Sequence, residues 1–250
     1  MASGSGSIVG VLADLVLPSS CAGCGAAPVS AGICARCAGA LGDLVPYETV
    51  PTPCPPGLPP CVTLGAYDGP LRQIVLAYKD DGRHRLARAL AVPLAKGIES
   101  AAVRLGHRPG SPIVVVPVPS TPAAARARNG DHMRRLARHA TRALNQAARP
   151  VTLGRPANAR PRPDSAHLSA AARAVAANDA FAVREVAARR LAAAARAGAR
   201  VIAVDDVLTT GATLASLATR LASQGVPVSA AVTIAATVRR VQPPAPRISG

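Results

Sequence analysis

Aromatic side chains are scarce. Tyr47, Tyr67, Tyr78 and Phe181 are the only ones in 250 residues, and there is no Trp. So few rings argue against recognition by stacking unpaired bases on an aromatic platform. Long apolar runs are missing too: no stretch approaches the roughly 20 apolar residues of a membrane span, so membrane insertion is not expected. The apolar segment at residues 8–17 is short and has the spacing of a helix face. It contains Asp14 and no basic segment precedes it, so it does not read as a secretory signal, and a cytoplasmic location is expected. Acids are few as well. Thirteen Asp and Glu face 29 Lys and Arg, a net charge of +16. Such a field attracts phosphates, whether of nucleic acid, a nucleotide or a sugar phosphate. Residues 126–162 hold ten basic residues and one acid, Asp131. This stretch reads either as a solvated face or as a surface turned toward phosphate.

What is present divides the chain. Residues 1–61 comprise a small-residue tail, a Cys-rich module and a Pro-rich linker at 46–61 with no regular element expected. Residues 62–240 form the body, and 241–250 a loose, disordered end. Cys21-Ala-Gly-Cys24, nine residues, then Cys34-Ala-Arg-Cys37 repeats the CxxC spacing. Each CxxC lets two thiolates share one ion, and four thiolates complete a closed tetrahedral zinc site. Such a site stabilises a segment too small for its own core. A redox pair or two disulfides are the alternatives. Cys54 and Cys61 are left as spare thiols.

In the body, strands are expected at 62–67, 112–119, 200–205 and 227–235. Helices are expected at 70–78, 83–105, 123–147 and 211–224. The run at 112–119 is wholly apolar, as for a strand buried on both faces. The 123–147 helix places Met133, Leu136, Ala137, Ala140 and Leu144 on one face and Arg134, Arg135, Arg138 and Arg142 on others. Strands alternating with helices predict an α/β fold with a parallel sheet.

The most informative segment is Val201-Ile-Ala-Val-Asp205-Asp206-Val-Leu-Thr209-Thr210-Gly211-Ala212-Thr213. An apolar strand delivers two acids to its C-terminal end, a turn follows, and a helix begins. In open α/β sheets ligands bind at that end. The turn offers backbone N–H groups at a helix N-terminus and three hydroxyls, the makings of a phosphate cradle. Gly211 lets the backbone approach a phosphate closely. The acids can accept hydrogen bonds from sugar hydroxyls or hold a hydrated cation. A helix cap alone accounts for one Thr or Asp and leaves the rest of the pattern unexplained.

The segment resembles the phosphoribosyl pyrophosphate (PRPP) motif of type I phosphoribosyltransferases. The resemblance implies that Asp205 and Asp206 hold the ribose, and that Thr209, Thr210, Gly211, Ala212 and Thr213 hold the phosphate. A Cys-rich start, then Tyr67-Asp-Gly-Pro-Leu-Arg72 through Lys79, Val116-Pro-Val-Pro119, the Arg126-Ala-Arg128-Asn129-Gly130 turn and the acidic motif, in that order, looks like the ComF family. The likeness covers about residues 18–238. It implies a phosphoribosyltransferase-like fold, with Ser120 and Thr121 in a pyrophosphate-binding loop and with Lys79, Arg126 and Arg128 as cations beside it. It further implies structural Zn²⁺, and Mg²⁺ bound with PRPP. Two stretches depart from the family pattern. Arg128-Asn129-Gly130-Asp131-His132 lacks the usual aromatic, and Ser165 and Ala176 stand where the family has Gln and Asn. None of His132, His139 or His167 is taken as a general base, since a lone His on a basic helix is ordinarily a surface residue.

Three functions follow from the resemblance. One is phosphoribosyl transfer from PRPP to an acceptor. Another is non-catalytic DNA uptake in natural transformation, with single-stranded DNA and the DNA-uptake helicase machinery as partners and the basic stretch on the phosphate backbone. The last is regulation by binding PRPP.

Overall fold

The computed structural model describes residues 20–26, 29, 32–108, 110–147, 150–160 and 180–237. The segment at 8–17, the departing stretch at Ser165–Ala176 with its His167, and the end from 241 onward lie outside the described residues.

Fully apolar strands need cover on both faces, and the chain supplies it. A six-stranded sheet runs in the order β1-β2-β8-β7-β3-β4. Its strands are β1 (Tyr47–Thr49), β2 (Cys61–Ala66), β3 (Ile113–Pro117), β4 (Val151–Leu153), β7 (Arg200–Leu208) and β8 (Ala230–Ala236). Every neighbouring pair is parallel except β1 with β2. A separate antiparallel pair joins β5 (Ala157–Ala159) to β6 (Phe181–Val183). All five residues of β3 and all seven of β8 are buried.

Successive strand residues point to opposite faces, and the two cores divide accordingly. Ile202 and Val204 of β7 join Leu64 and Val232 in one core. That core lies under α2 (Gly69–Lys79), α3 (Leu86–Arg104) and α5 (His132–Gln146). Val201 and Ala203 join Val114 and Val116 in the other, under α6 (Glu185–Arg196) and α7 (Ala212–Ala222). The expected apolar face of α5 is the buried one: Met133, Leu136, Ala137, Ala140 and Leu144 are all at most 2% exposed. Burying each large side chain contributes about 1.5–3 kcal/mol.

Three expectations need correction. The helix expected over 123–147 is broken into α4 (Pro122–Ala127) and α5. Asn129 and Gly130 take φ of 50° and 126°, outside helical space, and the Asp131 carboxylate then caps α5 by accepting the Arg134 N–H at 3.0 Å. The Pro-rich segment does contain a regular element, because β1 pairs Tyr47, Glu48 and Thr49 with Thr63, Val62 and Cys61. The Pro-free stretch Tyr47–Thr49 is free to donate to the ladder. β4, β6 and α6 carry no expectation from the sequence, whereas β5 lies in the Arg- and Pro-rich stretch 154–164 that reads as a loop, and its pairing with β6 corrects that reading.

The Cys-rich module closes on α1 (Ala35–Gly42), and Cys21, Cys37 and Leu41 belong to the same core as α2 and α3. Arg83 donates to the carbonyls of Ser20 at 2.6 Å and Gly32 at 3.1 Å, and Lys96 donates to the Gly42 carbonyl.

Gly97 sets how closely α3 lies on the sheet. A Cβ there would fall 2.6 Å from Val232 Cγ1 and 3.0 Å from Leu64 Cδ2. Gly97→Val is expected to overpack this contact and to lower unfolding stability by about 1–3 kcal/mol. Urea denaturation measures the loss, and an unchanged midpoint contradicts the close approach.

Candidate functional site

The parallel strands bring their C-terminal ends to one edge, where α/β sheets ordinarily take ligands. Val118 donates to the Val204 carbonyl at 2.9 Å, which places the segment after β3 beside Asp205 and Asp206 of β7. Ser120, Thr121, both acids and the Thr209–Thr213 turn therefore converge on the same edge.

The turn has the expected strand-to-helix form. Gly211, which has no side chain to cap with, is the N-cap of α7 with φ of 74°. The first turn of any helix leaves N–H groups without intrahelical partners. Here the Ala212 N–H makes only a long 3.4 Å bond to Thr210 Oγ1. Thr209, Thr210 and Ala212 are exposed. Gly211 is required twice over. Its φ lies in the left-handed region, and a Cβ would meet Leu58 at 3.0 Å and Pro51 at 3.2 Å. The Pro-rich segment thus flanks the turn directly.

The two acids differ sharply. Asp206 is buried, 5% exposed. Its Oδ2 pairs with Lys79 Nζ at 2.8 Å and His132 Nε2 at 3.1 Å, and its Oδ1 accepts the Val207 N–H at 2.8 Å. Burial alone would raise this carboxyl, but the His132 hydrogen bond and the Lys79 charge outweigh it and hold the group at about 2. Lys79 is raised in turn, with Asp206 overcoming the cost of burying the ammonium. Asp205 is half-buried and pushed up to about 8, first by burial and then by the neighbouring charge of Asp206. Its Oδ1 accepts the Asp206 N–H at 2.9 Å, and its Oδ2 has no partner among the described residues.

His132 is the residue that sequence reasoning missed. It is 6% exposed, not a surface group. Its Nε2 meets Asp206, and its Nδ1 lies 3.2 Å from Ser120 Oγ. The buried Tyr78 hydroxyl donates to the His132 carbonyl at 2.6 Å. The signal available was position: His132 is the first residue of α5, on the apolar side with Met133, directly after a capping Asp. His139 is half-buried.

The remaining candidates are engaged in local contacts. Ser120 sits between Asp131 and His132, with its N–H 3.4 Å from Asp131 Oδ2. Thr121 caps α4 by accepting the Ala124 N–H at 3.2 Å. Arg128 pairs with Asp80 at 3.1 Å, and Arg126 is exposed.

Cys21, Cys24, Cys34 and Cys37 form a second centre, with their sulfurs all within 4.8 Å of one another. Cys24 and Cys34 are 3.7 Å apart, and a tetrahedral zinc with ~2.3 Å bonds requires S···S of about 3.8 Å. The Cys34 N–H donates to Cys21 Sγ at 3.3 Å. Burial opposes the Cys21 thiolate, but backbone N–H groups outweigh it and bring the thiol down to about 6. The four thiols can hold a metal ion such as zinc. Cys54 is exposed and Cys61 buried, both free.

No family model matches the chain, and no curated protein matches it either. What the edge can bind is therefore judged from its own groups: one constrained carboxylate, one available carboxyl and an uncapped helix start.

The acids give opposite pH signatures. Asp205, raised from 3.8 to about 8, holds its proton in the fold where the unfolded chain has released it. Its contribution is present below pH 3.8 and lost as the pH rises to 8. In chelator, Asp205→Asn should melt with the wild type at pH 4 and above it at pH 8. Asp206, lowered to about 2, contributes above its unfolded value of 3.8 and loses that as the pH falls through 2. Asp206→Asn should cost about 1–3 kcal/mol at neutral pH, because Lys79 and His132 lose a charged hydrogen-bond partner. Parallel melting curves for both variants across this range contradict the assignment.

Proposed function

We propose that this edge binds a phosphorylated pentose, and that the ligand is PRPP taken with Mg²⁺ in the manner of a type I phosphoribosyltransferase. The observation that carries the reading is the continuous path from a half-free carboxyl at Asp205 to an uncapped, glycine-started helix at Gly211. A diol acceptor at one end and a phosphate cradle at the other match the two ends of ribose 5-phosphate. Asp205 takes the ribose hydroxyls, and Thr209 to Thr213 take the 5′-phosphate. Asp206 acts through its neighbours, holding Lys79 and His132 and keeping the strand end in place.

The donor set fits a hydrated Mg²⁺, which needs only one or two carboxylates besides phosphate oxygens and water. Asp205 has an oxygen to give. Once bound with the ligand, the cation supplies charge neutralisation at the pyrophosphate. In transfer, an acceptor's electron pair forms the new bond at the ribose carbon while the bond to pyrophosphate breaks, and pyrophosphate leaves with its electrons. In this reading Asp205, ionised once the cation is bound, offsets the positive charge that develops on the ribose. Zinc is the ion we assign to the four-thiol centre, in a structural role that ties the four cysteines and α1 to α2 and α3.

Calorimetry with PRPP and Mg²⁺ tests the reading. Asp205→Asn should weaken binding about tenfold or more, the worth of a hydrogen bond to a charged group, and so should removal of Mg²⁺. Absence of binding, or equal affinity in the variant, overturns it.

A further inference from the structure

The cations that the sequence singled out are mostly committed elsewhere. Lys79 belongs to Asp206 and Arg128 to Asp80. The uncommitted positive charge lies at another corner. An open cavity of about 510 Å³ sits where β4 ends and α6 begins, and Arg155, Arg184 and Arg190 line it. Glu185 is the one acid on its wall, and Arg189 already lies 3.5 Å from that carboxylate. Among the described residues, none of Arg155, Arg184 and Arg190 is ion-paired. We propose that this cavity is a second anion site, and that it takes the pyrophosphate or polyphosphate group of a small molecule.

Three independent features support that ligand class. The start of α6 breaks the ordinary capping rule. Its N-cap is Arg184, with no side-chain cap, so a guanidinium stands at the positive end of a 12-residue helix dipole. Glu185 in the first turn opposes this charge, but Arg189 already pairs with its carboxylate, so the cavity wall keeps a net positive charge. Behind the cavity stands more charge of the same sign. Arg155 is held below the usual guanidinium range, first by burial and then by Arg134, with Arg184 and Arg138 adding to it and Asp131 alone opposing. Arg134 has a buried Nε with no acceptor among the described residues. The cavity is also built rather than incidental. A Cβ on Gly154 would meet Val114 at 3.0 Å and Leu191 at 3.3 Å, so the glycine lets α6 close on the sheet. Arg184 ties the two walls, its N–H donating to the Pro156 carbonyl at 2.7 Å and its Nη1 to the Arg155 carbonyl at 3.4 Å.

Three exposed arginines lining one concavity suit a ligand with several anionic oxygens, because each guanidinium can form paired charge-assisted bonds. A single phosphate satisfies fewer of them. A cavity of this volume is in the range of small-molecule sites. It lies on the same C-terminal edge of the sheet but two strands along from β7, with β3 between, so the strand ends are about 10 Å apart. The proposal goes beyond the pentose-phosphate reading and does not depend on it.

The test is calorimetry on the full chain with inorganic pyrophosphate and inorganic phosphate, in chelator at fixed ionic strength. A mixed-sequence DNA oligonucleotide is the third probe. The proteins are wild type, Arg155→Ala/Arg184→Ala and Asp205→Asn, each checked for a cooperative melting transition. Arg155→Gln/Arg184→Gln replaces the first variant if that one fails to fold. Pyrophosphate should bind tighter than phosphate, and the double arginine variant should lose about tenfold or more in affinity. Asp205→Asn should bind as wild type does. Loss in Asp205→Asn with none in the arginine variant would place the anion at β7 and overturn the proposal. So would a lack of pyrophosphate binding. Oligonucleotide binding tighter than pyrophosphate and abolished by the arginine changes would also overturn it, in favour of a nucleic-acid backbone.

Discussion

A carboxylate that cannot stay charged alone organises the candidate site. Asp206 is nearly buried, and only Lys79 and His132 make that tolerable. Those partners come from α2 and α5, so one side chain ties the C-terminal end of β7 to two helices of the same core. Removing Lys79 or His132 costs more than forming the pair gains, since the Asp206 carboxylate left behind has little water. The network therefore defines where α2 and α5 sit relative to the strand end, and with them Ser120 and the Asp131 cap.

This arrangement divides labour within the acidic pair. Adjacent strand residues cannot point the same way, so two acids in sequence meet two environments. Asp206 points to the helices and is held ionised, while Asp205 keeps a free oxygen and resists ionisation. Two neighbouring carboxyls with separated proton affinities are a pattern of sites that bind or transform ligands. The cost of keeping Asp205 beside Asp206 falls when a cation or a hydroxyl-bearing ligand arrives.

Much of this was legible in the sequence. The alternation of apolar runs and helical periods implied a parallel α/β sheet, and the α5 apolar face was readable residue by residue. The Cys spacing identified the thiol cluster, and the strand–turn–helix pattern marked Gly211 as the start of α7. Pairings that depend on long-range packing were not legible. Lys79 and Asp206 are 127 positions apart, and no local pattern says that they touch. His132 looked solvated because the rest of α5 is basic, and its burial follows from the α4–α5 break. That break rests on positive φ at Asn129 and Gly130. Short β1 and β4 carry too few residues for a period, and the prolines around β1 masked it.

Electrostatics on the larger scale follows the same division. The +16 net charge is not spread evenly over function. Lys79 and Arg128 are used to hold acids in place, whereas Arg155, Arg184 and Arg190 remain available to solutes. A crystal structure of the chain with ribose 5-phosphate and Mg²⁺ tests the central claim most directly. The phosphate should lie on the backbone N–H groups of Gly211 to Thr213, with the ribose hydroxyls on Asp205 and the Asp206 pairs intact. A ligand seated at Arg155 and Arg184 instead, with the Gly211 turn closed against Leu58 and empty, would contradict it.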